Sequence, residues 1–261
     1  MLANSKSGIL VVSFGTTHTE TCNKTIVAIE NEIEKHFPSF AVYRAWTSKK
    51  VREIVNKRDN LEVLSVSEAL AQMYHDGIRK VFMQPTHMLD GIENSIMKEE
   101  IERVTNLFEH VAIGEPLLST PRDIETISKI ILDEWHLNDN EVLVYVGHGS
   151  NHNANEAYQL INQKLYALGS SKHIIGTMQP AESINSVLEQ LKKFVDCKIL
   201  LAPFMIVSGS HAINELAGDC DDSWKSILSN EGYHVECILK GLGEFPQVRS
   251  MFIEHLKRII Y

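Results

Sequence analysis

Two histidines stand where this chain could do chemistry. His148 lies in Gly147-His148-Gly149, at the end of the apolar, β-branched run EVLVYV, and His211 follows 63 residues later in SGSH, after a second such run, KILLAPFMIV. A neutral imidazole ligates borderline divalent ions such as cobalt, nickel, zinc or ferrous iron, and near neutral pH it can also accept a proton. The chain has no H-E-x-x-H and no cysteine cluster, so a closed structural zinc site with four protein ligands is not expected. What remains is an open or transient metal site. Two bland explanations compete with it: twelve histidines put some pairs together by chance, with His36, His75, His110, His136 and His234 in segments that look solvated, and a histidine after a strand can simply cap the next helix. The glycines beside His148 are expected to keep bulk away, so that a ligand can approach the backbone.

In an open α/β sheet a histidine at a strand's carboxyl end faces the ligand crevice, and the chain has that pattern. Strands at GILVVSFGTT, FAVYRAW, IRKVFMQPTHM and HVAIGEPLL alternate with helices at TCNKTIVAIENEIEKHF, VREIVNKRD, SVSEALAQMYHDG, ENSIMKEEIERVTNLF and PRDIETISKIILDEW. Ser65 and Pro121 mark helix starts, and Gly77 marks a stop. The second half repeats the order with strands at EVLVYVGHGS, KHIIGTM, KILLAPFMIVSGSH and HVECILKGLG, again separated by helices. The expected fold is therefore α/β, with two pseudo-repeated Rossmann-like lobes, residues 1–138 and 139–261, whose parallel sheets are flanked by helices around a central cleft. Motifs match at two offsets. Gly15 falls on Gly149, setting Phe14 against His148; Pro85 falls on Pro203, setting Gly91 against Gly209 and Glu93 against His211.

The composition narrows the function classes. At 261 residues and 44% hydrophobic content the chain can bury a large core, and a net charge of −9 argues against a nucleic-acid surface. No apolar run reaches transmembrane length and MLANSKSGILVVSFG lacks an export signal, so no membrane partner and a cytoplasmic location are expected. Cys22, Cys197, Cys220 and Cys237 are too few and too scattered to staple the fold. No strand runs into G-x-G-x-x-G, so no organic dinucleotide cofactor is expected. A homo-oligomer is compatible with all of this.

The segments VVSFGTT, YRAWTS, QPTHMLDG, IGEPLLS, VGHGS, PFMIVSGSHAINELAGD with DDSWK, and GLGEFPQVRSMFIEHL, in this order over essentially the whole chain, resemble the anaerobic cobaltochelatase family of the CbiK type. The resemblance implies two α/β lobes around a tetrapyrrole cleft, insertion of Co2+ into sirohydrochlorin, and His148 and His211 as the residues holding the metal. Fe2+, Ni2+ or Zn2+ would suit the same ligand types. It also implies a glutamate as third ligand, where this chain has Gln179; a neutral amide offers an oxygen but no charge, and Glu182 is the nearby acid that could substitute.

Metal insertion needs the ion held loosely, the ring oriented, and two pyrrole protons removed. His87 and Glu93, from the QPTHMLDG loop and just beyond, are the candidate proton acceptors beside His148. The acidic substrate calls for donors, for which Phe14, Gly15 and Thr16 with Gly149 and Ser150 supply strand-to-helix turns. Arg44 heads the basic group Arg44, Lys49, Lys50 and Arg52, while Phe14 and Met205 offer apolar contact to the macrocycle. A binding protein of the same fold that lacks turnover is the rival reading, and Gln179 is the residue that favours it.

Overall fold

The computed structural model describes residues 6–149, 155–180 and 183–261. Ser150 and Glu182 lie outside the described residues. Strands β1 (Lys6–Ser13), β2 (Ala41–Trp46), β3 (Ile78–Pro85) and β4 (His110–Ile113) form one sheet in the order β2-β1-β3-β4. Strands β5 (Glu141–Gly149), β6 (His173–Gln179), β7 (Lys198–Pro203) and β8 (His234–Cys237) form another in the order β6-β5-β7-β8. Every neighbouring pair is parallel, so the connections must be crossovers, and helices supply them.

In the first half these are α1 (Thr19–Cys22), which runs through a π-turn at Asn23–Val27 into α2 (Ala28–His36), then α3 (Lys49–Asp59), α4 (Val66–His75) and α5 (Ile92–Glu102). Then α6 (Pro121–Glu134) leads to the second half, with α7 (Glu156–Ala167), α8 (Ser183–Leu191), α9 (Trp224–Asn230) and α10 (Pro246–Ile260). The local signals act as their chemistry dictates. Ser65 and Glu68 close a capping box on α4, Thr120 and Asp123 another on α6 with Pro121 in its first turn, and Gly77 ends α4 at φ +85°. The central strands are covered on both faces: Ile9 to Val12 and Val142 to Val144 have no exposed surface.

The internal repeat is visible in the register. Val12 pairs with Pro85, and Val146 pairs with Pro203, so the two motif offsets read from the sequence meet at one equivalent strand pair. The next amides repeat the contact, Thr86 N–H to Val12 O and Phe204 N–H to Val146 O, both 2.8 Å. Ser95 N–H reaches Gly91 O as Ile213 N–H reaches Gly209 O, each 3.0 Å. Gly15 (φ +95°) and Gly149 (φ +70°) both turn left-handed where their strands end.

The compact units are not the sequence halves, and the boundary expected at 138/139 shifts. One unit comprises residues 1–119 together with 246–261, the other residues 120–245. Each half gives its last helix away. α6 packs against α7 in the second unit, while α10 packs against α2 and β3 in the first, burying Val248, Phe252 and Leu256 completely. His255 Nδ1 meets Glu115 O at 3.0 Å and Arg258 pairs with Glu115 at 3.3 Å, fastening α10 there. Periodicity identified both helices but carries no information about which sheet an apolar face will cover.

Candidate metal centre

His148 and His211 come together. Their ring centroids are 4.8 Å apart with planes at 85°. With metal–nitrogen bonds of about 2.0–2.1 Å, each centroid would stand roughly 3 Å from a shared ion, and the observed separation then corresponds to a ligand–metal–ligand angle of roughly 100°. Both rings are exposed. Each also has its Nδ1 engaged: His148 Nδ1 at 2.9 Å from the Gly149 carbonyl, and His211 Nδ1 on the Glu215 carboxylate. A carbonyl or carboxylate can only accept, so both Nδ1 atoms carry hydrogen, and in the neutral ring that leaves Nε2 as the nitrogen with a lone pair for a metal. Two neutral imidazoles with free Nε2 atoms are metal ligands in waiting.

The glycines around His148 do a different job from the one expected. A Cβ on Gly147 would lie 2.6 Å from the Tyr158 ring, and one on Gly149 would lie 2.0 Å from the Gln179 carbonyl and 2.8 Å from Thr177 Cβ. They are glycines because α7 and β6 press on the end of β5, not because a ligand does. Tyr158 is buried, which pushes its hydroxyl up to about 12, and a weaker, opposing hydrogen bond links that hydroxyl to the Gly149 backbone. The strand end carrying His148 is thereby clamped from both sides.

Gln179 pairs with Gly149 across the sheet. Alternation along β5 and β6 then starts the Gln179 and His148 side chains on opposite faces, and among the described residues the Gln179 amide is hydrogen-bonded to neither imidazole. Its backbone carbonyl accepts from Asn155 Nδ2 at 3.2 Å. Even a carboxylate that does not ligate would act through its field: at roughly 7 Å from a +2 ion in a water-like medium it is worth about 1 kcal/mol, so Gln179→Glu should tighten cobalt binding about fivefold by calorimetry. An unchanged dissociation constant would put residue 179 beyond reach of the ion. Met205, in the loop after β7, is half-buried, and its carbonyl accepts the Leu242 amide at 2.7 Å.

In the first unit, Phe14 is 42% exposed beside the buried Gly15 and Thr16, and the Thr16 hydroxyl accepts the His18 amide at 3.2 Å. Arg44 is not a free cation. Its guanidinium is held in a two-pronged pair by the buried Glu30, and the other basic residues expected beside it are similarly occupied, Arg52 by Glu68 at 3.4 Å and Lys49 by Glu53 at 3.8 Å. With Nε and Nη2 committed to Glu30, Arg44 brings less positive charge to an acidic substrate than the free cation expected from the sequence. Glu93 sits half-buried in the first turn of α5.

His87 also differs from its expected role. It is 9% exposed and neither ring nitrogen has a well-formed hydrogen bond; burial pushes its pKa down to about 4, only partly opposed by the nearby Asn94. Such an imidazole is too weak a base to take a pyrrole proton at neutral pH. The unfolded chain takes up this proton near pH 6.5 and the folded chain near 4. Between those values the unfolded state binds more protons, so the stability held above pH 6.5 is lost as pH falls toward 4, by about 2–4 kcal/mol. Urea unfolding of wild type and His87→Leu across that window should show the loss in wild type alone. Parallel curves would mean that His87 is not a buried neutral base.

Sequence reasoning missed Glu215 and Tyr158. For Glu215 the signal was present, an acid four residues after His211; Tyr158 is visible only through its tertiary contact.

A model of the cobalt chelatase (CbiK) family matches residues 7–261. Sirohydrochlorin cobaltochelatase of Salmonella typhimurium is 31% identical over 256 residues, covering 98% of this chain and 97% of that protein. Sirohydrochlorin cobaltochelatase CbiKC of Nitratidesulfovibrio vulgaris is 28% identical over 262 residues, 98% of this chain and 91% of that one. Among solved structures, SirB from Bacillus subtilis with Fe3+ superposes with a TM-score of 0.69 at 14% identity, covering 97% of this chain and 95% of SirB. DR2241 from Deinococcus radiodurans, described as similar to chelatases, gives 0.64 at 12% identity, covering 97% of this chain and 55% of that one. These two share the chelatase-like α/β fold.

Proposed function

We infer, from the premise that this chain belongs to the CbiK cobalt chelatase family, that it inserts Co2+ into sirohydrochlorin, the substrate named for its relatives from Salmonella typhimurium and Nitratidesulfovibrio vulgaris. The observation that carries this reading is the pair of exposed imidazoles, His148 and His211, each with Nδ1 engaged and Nε2 free. In the reaction the pair holds the incoming ion as substrate. Two pyrrole N–H protons leave as those two nitrogens bond the metal, and the two ring nitrogens that carry no hydrogen donate their lone pairs to complete four metal–nitrogen bonds. His148, as it gives up the ion, and Glu93 are the groups assigned to receive those protons. The backbone N–H groups of Gly15, Thr16 and Gly149 are assigned to the substrate carboxylates, and Phe14 and Met205 to the macrocycle face.

Fe2+ and Ni2+ suit the same two imidazoles, so metal choice rests on supply and on how readily the ion is surrendered to the ring. Among the described residues no helix is long and apolar enough to cross a membrane. The test is anaerobic incubation of the protein with sirohydrochlorin and each ion in turn, followed by absorption. A cobalt-dependent spectral change faster than the protein-free control is expected. A second reading, a tetrapyrrole or metal carrier, is favoured by the neutral Gln179; binding of both partners without acceleration would establish it instead.

A further inference from the structure

We propose that Glu215 is a positioning residue for the metal site: it holds the His211 ring by Nδ1 so that Nε2 faces the ion, and it brings a negative charge to a ligand set that otherwise has none. The inference rests on the reading of His148 and His211 as the metal pair. The sequence immediately after His211 does not continue as an α-helix. Ile213 N–H still bonds Gly209 O at 3.0 Å, but Ala217 N–H then bonds Ala212 O at 3.1 Å, and Ala212–Leu216 forms a π-turn. Side chains four residues apart lie on the same face of a helical turn, which sets Glu215 beside His211. Ala212 and Leu216 anchor the turn in the core with no exposed surface, while His211 and Glu215 remain half exposed, 50% and 52%. The buried residues therefore fix the turn, and the turn fixes the pair.

The two imidazoles solve the same problem differently. His148 gives its Nδ1 hydrogen to a neutral carbonyl in its own strand end, Gly149 O at 2.9 Å. His211 gives its own to a carboxylate. A carboxylate behind an imidazole raises the basicity of the far nitrogen and sets its tautomer. With His148 and Gln179 neutral, Glu215 lowers the net charge of the loaded site by one without occupying a coordination position. The ion is thus held more firmly while positions remain open to the ring nitrogens, which suits a metal that must be passed on.

Three variants separate the possibilities. Nitrogen-15 NMR of the metal-free protein reads the His211 tautomer, and calorimetry with Co2+ alone reads affinity. Wild type should show the Nδ1–H form. Glu215→Ala should shift His211 toward the Nε2–H form and weaken cobalt binding about 10-fold or more, the range for outer partners of metal-bound histidines being about 10–100-fold. Glu215→Gln, whose amide oxygen still accepts, should keep the tautomer and lose only the part due to charge, so its affinity should lie between the two. His211→Ala is the reference. If it weakens binding while Glu215→Ala leaves tautomer and affinity as in wild type, the positioning role is wrong; if His211→Ala itself binds cobalt as wild type does, the metal pair is wrong.

Discussion

His148→Ala and His211→Ala should each lower cobalt affinity by at least about 100-fold, beyond the 10–100-fold expected for a supporting residue, and each should abolish the cobalt-dependent spectral change with sirohydrochlorin. The reason is that the centre has so few parts. Two Nε2 lone pairs are what the described side chains offer at this point, and the neutral amide of Gln179 starts from the other face of the sheet. Removing either imidazole leaves one neutral ligand, which a hydrated divalent ion has little reason to prefer over water. The double variant should be scarcely worse than either single one, because the two rings act as a unit. Both rings are exposed, so thermal stability should move by no more than about 0.5 kcal/mol. Cobalt affinity within threefold of wild type in either variant would remove these histidines from the metal site.

Gly149→Ala should do the opposite, damaging fold and site together. Its φ of +70° disfavours a side chain, and the new Cβ would fall 2.0 Å from the Gln179 carbonyl, a backbone atom that cannot swing aside. Left-handed strain and overpacking together predict a cost of about 2–5 kcal/mol, or a fall in Tm of roughly 5–15 °C. The strand end must shift to relieve the overlap, and His148, whose Nδ1 is bonded to the Gly149 carbonyl, shifts with it. Gly169→Ala is the comparison: at φ +94° but with nothing within 4 Å of the added carbon, it should carry the backbone strain alone, about 1–2 kcal/mol, and leave cobalt binding intact. Equal effects of the two substitutions would show that the contact with β6 is unimportant.

The residues legible in the sequence were those whose roles are local or repeated. Ser65, Thr120 and Pro121 announce helix starts by their own hydrogen-bonding chemistry. The strand pairs Val12–Pro85 and Val146–Pro203 could be matched because an α/β unit places its loops at fixed points along the register. Proximity of His148 and His211 follows from β5 and β7 being neighbours in a repeated order. What could not be read were roles created by a partner distant in sequence. Arg44 looks like a free donor until Glu30, buried beneath it, takes its charge. His87 looks like a base until burial lowers its pKa to about 4. Gly147 and Gly149 look like room for a ligand until Tyr158 and Gln179 are found filling that room. Glu215 is the exception: its partner is only four residues away, a helical spacing the sequence already carried.

The exchange of last helices sets an order of completion during synthesis. Domains emerging from the ribosome ordinarily finish in the order in which they are translated. Here residues 120–245 hold everything the second unit contains, whereas the first unit must wait for residues 246–261. Until they arrive, the apolar surface around α2 and β3 that α10 covers stays open, even though its own strands were made first. The unit bearing the histidine pair is therefore complete before the one translated ahead of it. Damage to α10, or its loss, is a lesion of the unit built mainly from residues 1–119, delivered from more than a hundred residues further along the sequence.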